Sequence, residues 1–219
     1  MSIPSTIIVL FVLLFAITVH EAAHGWAALK MGDPTAYHLG RVTLNPIPHI
    51  DPIGTILMPL MLAIMGFPFF GWAKPVPVNP LNLRNPRRDN LIISAAGPLS
   101  NLTVAFIAFF GFIILKTLTS GLLGTNPQSF VGYLSNGIFF ILYYAIVINV
   151  ILATFNLIPV PPLDGSGVLL GLISDEAAQK YEKIRPYGFI IIILLWITGI
   201  LRVIVSLILG IVDFFIMLV

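Results

Sequence analysis

The stretch IIVLFVLLFAITVHEAAHGWAALK, residues 7–30, joins a long apolar run to two histidines and a glutamate. No basic segment precedes the run and no small-residue cleavage site follows it, so it indicates a retained helix rather than a signal peptide. The chain has 219 residues, of which 58% are hydrophobic and only 9% are charged. Several apolar runs reach the length of about 17 residues that a bilayer crossing needs. The sequence therefore predicts an all-α polytopic membrane protein built as a transmembrane helix bundle.

Composition excludes several kinds of site. The chain has no cysteine, so it forms no disulfide or thiolate metal site, and a bound metal needs histidine and carboxylate ligands. Its net charge is only +2, and no basic cluster is interleaved with aromatic residues, so we expect no nucleic-acid partner. The positive residues are better interpreted as signals of membrane topology, with the lipid bilayer as the surrounding partner.

The chain is interpreted as a single membrane-embedded domain, residues 1–219, because it has no internal repeat and no polar stretch long enough for a soluble domain. Hydrophobic patterning predicts three long helices, over residues 6–30, 91–115 and 130–158. A C-terminal apolar segment, 188–219, is long for one crossing, and whether it crosses once or twice stays open. The alternation in TAYHLGRVTL, residues 35–44, predicts short membrane-associated strands.

Residues 53–70 are apolar and either span the membrane or dip into it and return. If they span, the basic loop 71–90 falls opposite the basic residues that follow the first helix, and the positive-inside bias is scrambled. If they return, both loops share the cytoplasmic side. Pro59 and Pro68 also fit a broken segment buried against protein. We therefore predict a re-entrant segment, with the N-terminus away from the cytoplasm.

Four residues of the sequence suggest a zinc site. His20 and His24 are four positions apart and share one helix face, a spacing at which two imidazoles bind one zinc ion, and Glu21 beside them can take a proton from water. Burying three ionisable groups in a membrane helix is costly unless they pair or bind a metal. A tetrahedral site also needs a third protein ligand. Asp164, in FNLIPVPPLDGSG, either supplies it or caps the next short helix, and the residues alone leave both open.

A family resemblance rests on five motifs in one order: HEAAH, GRVTLNPIPHIDPIGTILMP, GWAKPVPVNP, AAGPLSN and NLIPVPPLDG. Over roughly residues 15–172 the chain resembles the site-2 protease family of intramembrane zinc metalloproteases, most closely its compact prokaryotic members without a PDZ domain. The resemblance implies that His20, His24 and Asp164 ligate one zinc ion per chain and that Glu21 is the catalytic base. It also implies that Asn156 helps to place the substrate or to stabilise the reacting carbonyl.

The resemblance implies a zinc-dependent intramembrane endopeptidase that hydrolyses peptide bonds within or at the edge of transmembrane helices, in regulated intramembrane proteolysis. The implied partners are membrane-anchored protein substrates in a prokaryotic cell membrane. The predicted topology places the active site toward the cytoplasmic side, because Glu21 lies about fifteen residues from the non-cytoplasmic start of its helix. A metal transporter and a non-catalytic zinc-binding scaffold are the alternatives. Transport would call for a ladder of intramembrane ligands, which is not evident, and the intact Glu21 argues against a scaffold.

Two further residues are candidates for substrate binding. His49 either contacts substrate, donates a hydrogen bond behind the ligands, or is a structural histidine at the membrane interface. Asn101 either bonds across helices or contacts substrate. Gly97 and Pro98, just before Asn101, are expected to permit close packing against the zinc helix.

Overall fold

The computed structural model describes residues 3–58, 61, 73–122 and 129–218. None of these residues lies in a strand, and most of them are helical. The α-helices are α1 (Ile3–Met31), α2 (Thr35–His38), α3 (Pro86–Thr117), α4 (Phe130–Asn156), α5 (Asp164–Leu172), α6 (Asp175–Glu182), α7 (Gly188–Ile197) and α8 (Ile200–Leu218). Short 3₁₀ turns occupy Ile47–His49, Pro80–Asn82 and Arg185–Tyr187, and π-helical turns occupy Pro52–Leu57 and Leu118–Leu122.

Within the described residues, 4 helices are long and apolar enough to cross a membrane. They are Pro4–Met31, Pro86–Ser120, Phe130–Asn156 and Ile200–Leu218. The three long helices predicted from hydrophobic patterning are thereby confirmed. The protein is a multi-pass membrane protein.

Helix α3 begins at Pro86, earlier than the apolar run that predicted it. The Asn85 side chain accepts a hydrogen bond from the backbone N–H of Arg88 at 3.4 Å, and Asp89 accepts one from the N–H of Asn85 at 2.7 Å. This reciprocal pair satisfies backbone donors at the helix start, where proline also fits because its missing N–H needs no partner. The first turn is charged, so hydrophobicity alone could not locate it.

The predicted short strand over residues 35–44 is wrong, because Thr35–His38 forms a helical turn instead. The buried carboxylate of Asp33 accepts hydrogen bonds from the backbone N–H and the hydroxyl of Thr35, which starts the turn. Gly40, at φ +66°, ends it. Residues 73–79, in the basic loop 71–90, form neither helix nor strand.

The predicted re-entrant segment, 53–70, lies mostly outside the described residues, so its path stays a prediction. The C-terminal segment that was expected to cross once or twice is divided at Gly199, whose φ of +79° breaks the helix between α7 and α8. Of its two parts, α8 alone is long enough to span.

Helices α1 and α3 run antiparallel. Asn101 of α3 lies beside Ala16 and His20 of α1. Ile93, which is closer to the N-terminus of α3, lies beside His24 and packs with Ala28. The C-terminus of α1 and the N-terminus of α3 therefore lie at the same end of the bundle.

Helix α4 returns alongside α3 and brings the chain back to the level of the histidines. Its first half faces the C-terminal half of α3, where Phe139 contacts Phe112. Its second half reaches Asn101 through Asn149. The short helix α5 then packs on the N-terminal half of α3, so the residue that begins α5, Asp164, arrives at the depth of His20 and His24.

Candidate metal centre

Three side chains from two distant parts of the sequence meet between α1 and α5. The Nε2 atoms of His20 and His24 are 3.0 Å apart. The Oδ2 atom of Asp164 lies 3.0 Å from Nε2 of His20 and 3.3 Å from Nε2 of His24. Both histidines are buried, and the three donor atoms form a group that could hold a metal ion.

The protonation of the two imidazoles follows from their outer hydrogen bonds. Nδ1 of His20 lies 2.6 Å from Oδ1 of Asn101, and Nδ1 of His24 lies 2.7 Å from the backbone oxygen of Ile93. Since both partners are acceptors, each Nδ1 carries a proton, and in the neutral tautomer this leaves the lone pair of Nε2 facing its neighbours. This tautomer is the one that ligates metals through Nε2.

In this tautomer the cluster brings together three atoms that each offer a lone pair. The buried Oδ2 atom of Asp164 receives no hydrogen bond from any donor of the described chain. Such an arrangement is repulsive unless a cation lies among the three atoms. Ligands about 2.0–2.1 Å from a tetrahedral zinc ion lie roughly 3.3 Å from one another, close to the spacing of these atoms. The donor set and its geometry thus fit zinc.

Gly97 of α3 makes room for the cluster. A Cβ atom at this position would lie 2.6 Å from Nε2 of His20 and would also overlap the ring of His24. Only glycine lets α3 approach the metal-binding face of α1 this closely. The expectation that Gly97 permits close packing against the zinc helix is confirmed.

Glu21 lies beside the two histidines in the sequence and is partly buried. Its Oε2 atom accepts a hydrogen bond of 2.9 Å from the backbone N–H of Val76. A carboxylate held in this way can accept a proton on its other oxygen. A general base needs such an orientation and such a vacant oxygen.

Asn101 contacts His20, and a second asparagine holds Asn101 in place. The Nδ2 atom of Asn101 donates to the backbone oxygen of Ala16 at 3.1 Å and to Oδ1 of Asn149 at 2.8 Å. Both asparagines are 0% exposed. With the amide nitrogen engaged, the amide oxygen of Asn101 faces His20, so the expected bond across helices is present and includes a candidate ligand.

Asn149 was missed by sequence reasoning. It is a single amide in the apolar run YYAIVINVILATF, and a polar residue at membrane depth is a signal that could have drawn attention to it. Nothing in its spacing identifies Asn101 as its partner, because the pair depends on how α3 and α4 pack.

The other two candidates for substrate binding, Asn156 and His49, each form a hydrogen bond with a nearby part of the chain. Nδ2 of Asn156 donates to the oxygen of Leu152 at 3.0 Å, one turn earlier in the same helix. The His49 ring is 1% exposed, and its Nε2 lies 3.0 Å from the oxygen of Thr43. Asn156 is only partly buried, whereas His49 is enclosed within its loop.

The sequence is similar to those of known proteins. The profile of peptidase family M50 matches residues 8–197. YwhC of Bacillus subtilis, whose name marks it as a candidate zinc metalloprotease, is 39% identical over 188 residues, which cover 85% of this chain and 78% of YwhC. Rip2 of Mycolicibacterium smegmatis, named in the same way, is 29% identical over 186 residues, which cover 84% of this chain and 64% of Rip2. No solved structure matches the chain.

Proposed function

This chain belongs to peptidase family M50, the site-2 protease family of metalloproteases, and we propose that it is a zinc-dependent endopeptidase that cuts membrane-anchored proteins within or at the edge of their transmembrane helices. One observation carries the proposal. The donor atoms of His20, His24 and Asp164 lie 3.0–3.3 Å from one another, and the two histidines are on a helix long enough to span a membrane. We assign these residues as the ligands of one zinc ion per chain.

The side chains of the site divide the work of hydrolysis. A zinc ion at the site supplies Lewis-acid polarisation of the peptide carbonyl and lowers the pKa of water toward about 7. Glu21 takes a proton from the attacking water while the Val76 N–H keeps its carboxylate oriented. As the peptide C–N bond breaks, Glu21 passes that proton to the leaving amine, so the carboxyl product gains OH and the amine gains H.

The depth of the site defines the substrate class. His24 is seven residues from Met31 at the end of α1, which corresponds to about 10 Å along the helix. A peptide bond that reaches this depth belongs to a membrane helix, whose carbonyls are hydrogen-bonded and must be released before attack. Substrates are therefore single-pass proteins whose helix contains Gly, Pro or Asn near the cut, because these residues lower the cost of unwinding.

Charge and helix direction support placing the site toward the cytoplasm of a prokaryotic cell. The antiparallel pairing of α1 and α3 brings the loops that hold Arg41 and Arg84 to one end of the bundle, the end nearer to His24. Positive residues favour the cytoplasmic side. A path from Met31 to Pro86 that starts and ends at one side also agrees with re-entry of residues 53–70.

Further substrate contacts are assigned by exposure. Asn156, half-buried eight positions before Asp164, remains our candidate for positioning the substrate near the reacting carbonyl. His49 is enclosed by its loop, so it reaches substrate only indirectly. Asn101 has its oxygen on His20 and its nitrogen on Ala16 and Asn149, which favours a role in orienting the ligand over a contact with substrate.

The deciding experiment co-expresses the protein with single-pass candidate substrates and identifies fragments by mass spectrometry. Wild-type protein is expected to hold about one zinc per chain and to cut in the cytoplasmic half of the substrate helix. Glu21→Gln keeps zinc but loses nearly all cleavage, because an amide cannot take the proton. His24→Ala loses both zinc and cleavage.

Assays of zinc uptake into vesicles and of substrate binding, added to this experiment, separate the alternatives. A transporter moves zinc into vesicles without cutting, and a scaffold binds substrate without cutting or transport. Among the described residues, one group of His and acidic side chains could hold a metal, and transport along a ladder of sites needs more than one. Full zinc content in a triple variant of His20, His24 and Asp164 would refute the ligand assignment.

A further inference from the structure

Residues 73–79, here called the strap, pass over the catalytic face of α1. The strap has no regular secondary structure, yet it is fixed at several points. Val76, near its middle, donates its N–H to Glu21, and the strap residue Lys74 donates its N–H to the oxygen of His49 at 3.0 Å. The strap is therefore part of the site although it contributes no proposed ligand.

The sequence of the strap leaves Val76 as the donor to Glu21. Pro75 and Pro77 flank it, and proline has no N–H, so within this triplet Val76 alone can donate. The prolines also restrict the backbone on each side of Val76 to extended conformations. On α1, Gly25 is one turn from Glu21, and a Cβ there would lie 3.4 Å from Cγ1 of Val76, so the strap passes within van der Waals contact of this turn of α1.

Each end of the strap is tied to the segment that follows α1. At its C-terminal end, the N–H of Asn79 donates to Oδ2 of Asp33 at 2.7 Å. At its N-terminal end, the guanidinium of Arg41 donates to the oxygen of Lys74 at 2.5 Å and to that of Pro75 at 3.2 Å. The same guanidinium also donates to the oxygen of Pro48.

Arg41 is an unusual residue for a role limited to packing. It is 6% exposed, and its contacts in the described chain are three carbonyl oxygens rather than a carboxylate. Burying a guanidinium without a counter-charge is costly. What this side chain uniquely provides is a planar fork that holds two separate backbone segments at fixed positions.

We propose that Arg41 is a positioning residue for the general base Glu21. It acts through the strap: the guanidinium fixes the oxygens of Lys74 and Pro75, which fixes the next N–H, that of Val76, on the carboxylate of Glu21. This inference rests on the proposed function, because it assigns Glu21 the role of base. It predicts that Arg41 governs turnover and leaves the metal ligands untouched.

The test compares purified wild-type protein with Arg41→Met, Arg41→Lys and the control Arg88→Met, which removes an exposed arginine. Each protein is assayed for zinc content and for cleavage of a synthetic single-pass peptide with a Gly-Pro pair in the inner half of its helix. Arg41→Met is expected to keep one zinc, to lower kcat by about a hundredfold and to change KM little, since misplacing a catalytic group by about 1 Å costs that much. Arg41→Lys keeps the charge but not the fork, so it restores only part of kcat.

A second variant examines whether Arg41 acts through the strap. Val76→Pro deletes the N–H that holds Glu21 without altering Arg41. If both residues act on the same carboxylate, the double variant Arg41→Met/Val76→Pro loses no more kcat than the worse single variant. Independent, multiplying losses would overturn the proposed route, as would a fall in zinc content or a purely KM effect in folded Arg41→Met.

Amide hydrogen exchange reports on the strap without any substrate. The Val76 amide is expected to be protected in wild-type protein and in Arg88→Met, and to exchange at least tenfold faster in Arg41→Met. A rapidly exchanging Val76 amide in wild-type protein would overturn the inference. Failure of every protein to cut any single-pass peptide would instead count against the proposed function, so the two failures are distinguishable.

Discussion

The two ends of the helix bundle are held together by different forces. At the end that contains the candidate metal centre, α1, α3 and α4 are joined by hydrogen bonds through His20, Asn101 and Asn149. On the side of that centre away from Met31, beginning within one turn of Asn149, α3, α4 and α8 meet through apolar side chains. These are Ala108, Ile146, Val147 and Val212, with further apolar residues packed around them.

The difference shows what buried polar groups are used for in this protein. Between helices in lipid, apolar packing is sufficient to hold the far end together, since dispersion contacts need no partners of matching polarity. Hydrogen bonds are directional, so the buried ones through Asn101 and Asn149 lie where the His20 side chain must keep one orientation. The polar end is organised for orientation, and the apolar end for cohesion.

The largest expected effect comes from filling the space between α1 and α3. Gly97→Ala places a methyl group against both histidine rings, and such overpacking typically costs about 1–3 kcal/mol, which corresponds to roughly 5- to 150-fold weaker zinc binding. Zinc affinity is measured by competition with a chelating dye. Gly137→Ala is the control, because no atom lies within 4 Å of its added Cβ. Equal affinity in both variants would show that α3 can move away at no cost.

A smaller effect is expected one contact farther from the metal. Asn149→Leu removes the acceptor that holds the amide nitrogen of Asn101, so the orientation of His20 is less fixed, and zinc affinity falls by about tenfold. Asn136→Leu, on the exposed face of the same helix, is the control and should bind zinc as wild type does. If Asn149→Leu alters thermal stability but not zinc affinity, the polar end serves cohesion after all.

The stability of the fold is expected to depend on pH through Asp33, which follows α1 at the polar end. Burial would raise the pKa of Asp33, but hydrogen bonds from Thr35, Asn82 and Asn79 outweigh burial and hold that pKa below its ordinary value. A carboxyl with a lowered pKa in the folded state stabilises the fold above its unfolded pKa of about 3.9, and this stability is lost as pH falls through the folded pKa.

The measurement is the thermal midpoint of wild-type protein and Asp33→Asn between pH 7 and pH 3. Wild type should be more stable by about 1–2 kcal/mol at pH 7, and the gap should close below about pH 4. A gap that is constant with pH would show that the Asp33 carboxylate contributes no charge-dependent stability.

The smallest effect belongs to the far end, where one polar contact interrupts the apolar packing. The hydroxyl of Tyr143 donates to Oδ1 of Asp213 at 3.1 Å. Tyr143→Phe should lower the free energy of unfolding by about 0.6 kcal/mol, as is usual for hydrogen bonds between membrane helices, and should leave zinc affinity unchanged. Any loss of zinc in this variant would show that the two ends are coupled.

Much of the site was predictable because its signals are local. The spacing of His20 and His24 fixes their shared helix face, and apolar length locates α1, α3 and α4. Asp164 could not be distinguished from a helix cap by its own surroundings, and the family resemblance was needed to favour it as a ligand. Its distance to the histidines depends on the return of α4, which no short-range pattern encodes.

Other features depend on contacts between segments and could not be predicted from the sequence. Arg41 was counted as a topology signal, yet it is buried and bound to carbonyls of the strap. The strand expected over residues 35–44 failed because the hydrogen bonds of Asp33 outweighed the alternating pattern. The division at Gly199 was hidden because both flanking stretches are apolar, so hydrophobicity did not change there.

The proposed ligands come from two distant parts of the sequence, which has a consequence for the biosynthesis of the protein. Two of the proposed ligands lie on α1, whereas Asp164 follows two further helices of membrane length among the described residues. A nascent chain that ends between α3 and α5 carries the pair of histidines but not Asp164. The proposed metal site is therefore incomplete until synthesis has passed the start of α5.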